Sequence, residues 1–177
     1  ENVLHFDTNY IILVVWFQEK NRNLERKMQI CKMSGRQINQ ALELIRKVFD
    51  ECDKEDYEDM GILSFYHFIR REQIEERVQS GEMVFFGAYE ESEPIGVIAM
   101  REGFHVSLLF VEKNRQRQGI GKKLVRRGVA YCLEKNPQLK AVTVSASPKG
   151  KRAYEAMGFQ ALMPEQKKQG MRFTPMR

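Results

Sequence analysis

The spacing of apolar and polar residues along the chain predicts where helices and strands lie. Residues 28–33 alternate weakly, which indicates a first strand, and Ser34 follows as an N-cap. Apolar side chains then recur at helical spacing from Ile38 to Phe49, which predicts an amphipathic helix that ends in the acidic segment 50–59. A second helix is predicted over residues 62–79.

The spacing of apolar residues then changes to the pattern typical of strands. The predicted strands are residues 83–89, 95–100, 105–111 and 141–146, followed by a closing hairpin of residues 159–163 and 170–176. The run 105–111 is apolar almost throughout, which is typical of a strand that is covered on both faces.

Two further helices are predicted in the second half of the chain. One begins near Ile120 and ends at Asn136-Pro137, with a broad apolar stripe that includes Cys132 and basic residues outside the stripe. The other begins at Pro148 and ends at Gly158.

Residues 1–26 are predicted to form an N-terminal extension, and the folded domain is predicted over residues 27–177. The extension carries an apolar run, Tyr10 to Phe17, that is too short to cross a bilayer as a helix and lacks the flanking features of a signal peptide. We expect this run to pack on the domain or on a second copy of the chain in a homodimer.

Composition narrows the function classes without selecting one. The formal net charge of +5 favours an anionic partner, such as nucleic acid, a phosphorylated cofactor or an acidic membrane surface. The three cysteines and three histidines form no cluster with the spacing of a zinc site, so no metal is expected. The scattered cysteines favour a reduced, cytoplasmic setting.

The run Gln116-Arg117-Gln118-Gly119-Ile120-Gly121 joins an apolar strand to a basic helix. Free amide groups at such a helix start, together with the helix dipole, favour phosphate binding. A nucleotide P-loop would need Gly at Gln116 and Ser or Thr at Lys123. A dinucleotide fingerprint would need Gly or Ala at Leu124, so neither motif fits.

The remaining pattern, [QR]-x-x-G-x-G after an apolar strand, resembles the pyrophosphate-binding motif of the GNAT superfamily of acyl-CoA-dependent N-acyltransferases. Residues 147–159 resemble a second family segment, Y-E-x-x-G-F, and the resemblance extends from about Met28 to Arg177. It implies an α/β (α+β) fold with a central, mixed, mostly antiparallel twisted sheet of about six to seven strands flanked by about four helices.

The resemblance also implies acetyl-CoA as co-substrate and assigns residues to it. In the family, pantetheine pairs with backbone exposed at the end of the fourth strand, which falls here at Leu109, Phe110 and Val111. The amides implied to hold the pyrophosphate belong to Arg117, Gln118, Gly119, Ile120, Gly121 and Lys122. Ser147 stands where family members often carry an Asn that contacts the pantetheine arm, and its side chain is shorter.

The same resemblance assigns catalytic roles. Tyr154 matches the family's tyrosine that protonates the departing CoA sulfur; the alternative is a tyrosine that packs between layers of the fold. His105 stands where some members carry a catalytic Glu or His and is the candidate base, with an ordered water, held in part by Ser107, as the alternative. Cys132 is excluded as a nucleophile because a buried thiol resists ionisation, so direct transfer in a ternary complex is expected.

The acidic segment 50–59 borders the acceptor site in the superfamily. An acidic rim would attract a cationic small-molecule or peptide amine, whereas a solvated surface loop is the alternative. Two other functions stay open: a non-catalytic acyl-CoA sensor on the same fold, and nucleic-acid binding through the basic helix. Since CoA accounts for the positive charge, we expect neither nucleic acid nor a membrane as partner.

Overall fold

The computed structural model describes residues 28–177; the predicted extension 1–26, with its apolar run, lies outside the described residues. The described chain contains seven strands: β1 (Met28–Lys32), β2 (Met83–Glu90), β3 (Glu93–Arg101), β4 (His105–Val111), β5 (Thr143–Ala146), β6 (Gln166–Lys168) and β7 (Met171–Met176). Its α-helices are α1 (Arg36–Val48), α2 (Asp59–Phe68), α3 (Arg71–Gln79), α4 (Ile120–Lys135) and α5 (Lys151–Ala156).

The strands form one sheet in the order β1-β2-β3-β4-β5-β7-β6. β4 and β5 run parallel, and the other neighbours are antiparallel. The prediction of a mixed, mostly antiparallel sheet is therefore confirmed, with five described helices rather than about four.

Helices cover both faces of the sheet, and each face has its own apolar core. Adjacent side chains of β2 enter opposite cores: Phe85 packs with residues of α1, α2 and α3, whereas Phe86 packs with residues of α4 and α5. Both phenylalanines are fully buried. This double covering explains why the central strands are apolar almost throughout instead of alternating.

β4 pairs with its neighbour β3 along most of its length but with β5 only at its beginning. A bulge places Ser107 between the residues that face Met100 and Ala99 of β3. On its other side, β4 pairs with β5 at His105–Thr143 and Val106–Val144, and the paired register ends there. We call the space between Ser107–Val111 of β4 and the end of β5 the β4–β5 gap.

Several predicted boundaries are wrong. The helix predicted over residues 62–79 is two helices, α2 and α3, because the backbone of Arg70 is extended, with ψ of 136°. The change of direction brings both Ile69 and Ile74, which are 3% and 0% exposed, into the same core. The acidic segment does not end the first helical stretch either: a π-helical turn (Phe49–Asp53) and a 3-10 turn (Lys54–Asp56) follow α1.

The caps and the closing hairpin also differ from the prediction. Gly35, with φ of 52°, precedes α1 in place of Ser34, whose backbone N–H instead donates to the Gln37 side chain. The closing hairpin pairs β6 with β7, and of residues 159–163 Ala161 forms an isolated bridge to Met176. Pro148 lies in a turn before α5, which begins at Lys151.

Candidate active site

The turn over residues 116–121 leaves the end of β4 and enters α4. Two of its residues have left-handed backbone conformations, Arg117 with φ of 61° and Gly119 with φ of 81°. A positive φ is strained for a residue with a side chain, and such strain is concentrated at functional sites. Side chains hold the turn in place: Gln116 donates to the carbonyl of Val111 at 3.1 Å, and Gln118 donates to the carbonyl of Asn114 at 3.1 Å.

The amide groups of this turn are available to a ligand. Among the described residues, no hydrogen bond is made by the backbone N–H groups of residues 117–122, and the next amide, that of Lys123, donates to Gly119. These groups stand at the N-terminus of the 16-residue helix α4, where the helix dipole favours negative charge. Arg117 and Lys122 are exposed beside them. The arrangement has the chemistry of a phosphate site.

Beyond this turn, the β4–β5 gap exposes the backbone of β4. Leu109 and Val111 belong to the core beneath α4, and Phe110 points to the opposite core, with its ring 5.9 Å from that of Phe65. Because these three side chains lie above and below the sheet, the edge of β4 that faces the gap is backbone. Such an edge can pair with an extended ligand as a further strand does.

Ser147 follows β5 directly and lies on the far side of the gap. Its hydroxyl accepts a hydrogen bond from the amide of Gly150 at 3.0 Å. Ser147 also hydrogen-bonds Tyr57, although burial is the main influence on the phenol of Tyr57 and raises its pKa to about 12. Ser147, which we expect to contact pantetheine, therefore already hydrogen-bonds Gly150 and Tyr57.

Tyr154 lies on α5, with its side chain in the core that α4 and β5 share. The residue is 7% exposed, and its ring meets that of Phe159 edge to face at 5.4 Å. Burial raises the pKa of the Tyr154 phenol well above its usual range. The side chain is therefore protonated at neutral pH, which is the form that a general acid requires.

His105 begins β4 at the closed end of the β4–β5 gap. A hydrogen bond of 2.8 Å joins its Nδ1 to Oγ1 of Thr143 on β5. Burial, helped by the charge of Arg101, lowers the pKa of the imidazole, so that His105 is neutral at pH 7. The ring has the correct protonation state for a base, but one of its two nitrogens is engaged. Ser107 Oγ is buried and has no partner among the described residues.

The acidic segment 50–59 contacts Lys149, just beyond the end of β5, which its pattern of charges alone does not indicate. Its residue Cys52 accepts a hydrogen bond from Lys149 Nζ at 2.7 Å, and Lys149 also lies 2.7 Å from Glu55. Burial raises the pKa of the Asp53 carboxyl to about 6, against the opposing charge of Lys149. The partners are almost 100 residues apart in sequence, so no local signal joins them.

The thiol of Cys132 does not contribute to the site, and the described residues form no metal site. Cys132 is fully buried, and burial raises the pKa of its thiol, in agreement with its exclusion as a nucleophile. Over residues 28–177, no three His, Cys, Asp or Glu side chains are arranged to hold a metal ion. None of the helices in the same range is long and apolar enough to span a membrane.

A family model described as an acetyltransferase (GNAT) domain matches residues 53–177. The chain belongs to the GNAT acetyltransferase family. The match contains both the 116–121 turn and Tyr154, and members of this family transfer acyl groups from acyl-CoA to amines. No curated protein sequence matches this GNAT chain significantly.

Solved structures support the GNAT fold. The PaiA N-acetyltransferase from Thermoplasma acidophilum, in complex with coenzyme A, is 18% identical and aligns with a TM-score of 0.66 over 85% of this chain and 98% of its own. A GNAT acetyltransferase from Staphylococcus aureus Mu50 is 16% identical, with a TM-score of 0.64 over 85% and 98%. Escherichia coli ElaA is 15% identical, with a TM-score of 0.58 over 85% and 97%.

Proposed function

We propose that this GNAT protein transfers an acetyl group from acetyl-CoA to a primary amine by direct attack within a ternary complex. The observation that carries the proposal is the row of amides over residues 117–122, which make no hydrogen bond within the described part of the chain and stand at the end of a strand whose edge is open. A phosphate site and an open backbone edge in line suit the two parts of CoA, its pyrophosphate and its pantetheine arm.

The donor would be held mainly by backbone. The amides of Arg117, Gln118, Gly119, Ile120, Gly121 and Lys122 would bind the pyrophosphate, and the edge formed by Leu109, Phe110 and Val111 would pair with pantetheine. Ser147 is close enough to the gap to contact the same arm if its bond with Tyr57 opens. Backbone recognition depends on the conformation of the chain more than on side-chain identity, which suits a loop with two left-handed residues.

Transfer requires a neutral amine, a polarised thioester and a protonated leaving group. The amine nitrogen forms the new C–N bond, and the carbon–sulfur bond of the thioester breaks. Tyr154 would give its phenolic proton to the departing CoA sulfur, and the proton released by the amine would pass to His105 or to a water molecule near Ser107. When the amine starts in its ammonium form, the overall reaction releases one proton.

A non-catalytic acyl-CoA sensor on the same fold is the second candidate. The edge-to-face packing of Tyr154 on Phe159 favours it, because a buried structural tyrosine would have the same contacts. A steady-state assay of thiol release with a panel of amines separates the two functions. Binding of acetyl-CoA without turnover on any amine would favour the sensor.

Tyr154→Phe tests the acid role with almost no change of shape. We expect turnover to fall by about 10²–10⁴-fold, the usual contribution of a general acid, with the Kd for acetyl-CoA changed less than about threefold. The matched control is Tyr131→Phe on α4, whose ring packs on Phe86 in the same core. Equal turnover of Tyr154→Phe and the control at saturating substrate would remove the acid role.

A further inference from the structure

The segment that follows α1 contacts residues beyond the ends of both strands that border the β4–β5 gap. On one side, Gln116, which is bonded to the end of β4, places its Nε2 3.9 Å from Cys52 Sγ. On the other side, Lys149, just beyond the end of β5, donates to the carbonyl of Cys52 at 2.7 Å. The π-helical turn Phe49–Asp53 therefore lies across the open end of the gap.

A π-helical turn widens the helix and changes the direction of its side chains, and such turns are frequent at functional sites. This turn is fixed from below, because the ring of Phe49 stacks on Phe65 at 3.8 Å, and Phe65 contacts Phe110 of β4. Asp53 is the last residue of the turn. Its position relative to β4 is thus set by packed aromatic rings rather than by a free loop.

Asp50, Glu55 and Asp56 have direct partners, and Asp53 does not. Asp50 accepts a hydrogen bond from Tyr66, and Glu55 and Asp56 lie 2.7 Å and 3.3 Å from Lys149 Nζ. Among the described residues, Asp53 has neither a hydrogen bond nor a direct ion pair, although it is half-buried. Lys149 acts on Asp53 only without direct contact, so this half-buried carboxylate has no direct counter-ion. Such a charge is costly to the fold, and an ammonium group is a ligand that would compensate it.

We infer that Asp53 binds the ammonium group of the acceptor and takes its first proton, which makes Asp53 a catalytic residue that the family motifs do not include. The inference deepens the proposed function and rests on it. The acceptor loses one N–H proton to the Asp53 carboxylate, directly or through one water, and becomes a neutral amine. Its lone pair forms the C–N bond as the C–S bond of the thioester breaks, and Tyr154 protonates the departing sulfur. The second proton leaves the nitrogen for solvent; Asp53 then releases its proton to solvent, and Tyr154 regains one from it, so that one proton is released overall.

His105 is less suited to this step. It lies where β4 and β5 are still paired, and one ring nitrogen is bonded to Thr143. Asp53 follows Cys52, whose contacts with Gln116 and Lys149 place the turn at the open end of the same gap. The charge of Asp53 also acts on Tyr57, which hydrogen-bonds Ser147 just beyond β5. The charge of the acidic segment then has a defined role, since it selects amines that arrive protonated.

The charged groups around Asp53 are known, so its pH dependence can be stated. Lys149 lowers the pKa of Asp53, whereas Asp56 and burial raise it, and the negative charge of Asp53 in turn raises the pKa of Tyr57. The net pKa is about 6, between that of a free carboxyl and neutrality. Below this pH the carboxylate is protonated, so kcat/KM for the amine is expected to fall on the acid side of pH 6.

Asp53→Asn is the direct test, measured by thiol release over pH 5 to 9 with the amine that the wild-type chain uses best. We expect kcat/KM to fall by about 10²-fold or more at pH 7 and the acid limb near pH 6 to disappear, with the Kd for acetyl-CoA within about twofold. Glu51→Gln is the matched control, because it removes the same charge from an exposed position in the same turn.

Two further variants keep the outcome decisive. Lys149→Met removes the charge that lowers the pKa of Asp53, so the acid limb should move to higher pH. His105→Gln should retain the limb. An unchanged limb in Asp53→Asn, or its loss in His105→Gln, would overturn the assignment while leaving the proposed acetyl transfer intact. Failure of the wild-type chain on every amine, with acetyl-CoA bound, would overturn both.

Discussion

The carboxyl group of Asp53 suits the proposed function but lowers the free energy of unfolding at neutral pH. Its pKa is raised from 3.8 to about 6 by burial, so the folded protein binds more protons than the unfolded chain between these pH values. The contribution of Asp53 to the free energy of unfolding therefore falls as the pH rises from about 4 to about 6. Above pH 6 the full penalty of the buried charge is present.

Asp53→Asn should accordingly stabilise the protein at neutral pH. Allowing for solvent screening of a partly exposed group, we expect the free energy of unfolding at pH 7 to rise by about 1 kcal/mol. The gain should shrink as the pH is lowered toward about 4.5, where the wild-type carboxyl is largely protonated. Urea unfolding at both pH values, with Glu51→Gln for comparison, measures the effect. A less stable variant at pH 7 would contradict it.

At the scale of elements, the 116–121 turn combines a strand end, two left-handed residues and a helix start. No atom lies within 4 Å of the position that a Cβ on Gly119 would occupy, so space is not what requires glycine there. The requirement is the φ of 81°, which residues with a branched side chain avoid. The conformation of the turn, and with it the direction of the amides, therefore depends on this residue.

Gly119→Val tests the turn, and Gly81→Val is its control. Gly81 has nearly the same φ, 78°, and equally open surroundings, but it lies in the turn before β2. Both variants should lose about 1–3 kcal/mol of stability from backbone strain. We expect only Gly119→Val to lose acetyl-CoA affinity, by at least about tenfold in a calorimetric titration. Equal affinity of the two variants would rule out the turn as the phosphate site.

The sequence predicted this turn well because its determinants are local. A strand, two glycines and an amphipathic helix follow one another within about 30 residues, and each leaves its own signal. The split between α2 and α3 has no such signal, since no glycine or proline stands at Ile69 or Arg70. There the burial of Ile69 and Ile74 in one core overrides the helical spacing.

The environment of the acidic segment likewise could not be predicted from the local sequence. Its charges suit a solvated loop equally well, and its true environment depends on Lys149 and Gln116, which come far later in the chain. Tyr154 and His105 could be selected from family motifs, but the partner of His105 could not. Phe159 is local to Tyr154, whereas the bond from His105 to Thr143 spans 38 residues. Long-range pairings of this kind follow from topology, not from spacing.

At the scale of the whole molecule, the β4–β5 gap separates the sheet into two parts. One part contains β1 to β4 with α1, α2 and α3 on one face, and the other contains β5 to β7. Lys149 and the acidic segment connect the two parts above the gap. The N-terminal part would supply the acceptor side of the reaction, and both parts would enclose the donor.

Hydrogen exchange should reveal this division. On addition of acetyl-CoA, we expect slower exchange for amides of residues 107–111 that do not bond to β3 and for those of residues 117–122. The β1–β2 pairs serve as an internal control, because they lie two strands away from the gap. Protection spread evenly over the sheet, or absent from both segments, would contradict binding in the gap. Mass spectrometry of peptides from the two regions is sufficient to decide.

The short pairing between β4 and β5 has a consequence for how fast the protein can work. If pantetheine occupies the edge of β4, then the co-substrate is also a temporary strand, and the framework is complete only while it is bound. Each catalytic cycle then ends with the loss of a structural member as CoA departs. Tighter pairing of pantetheine with β4 would stabilise the loaded protein and slow the release of CoA. A variant that binds CoA more tightly should therefore turn over more slowly.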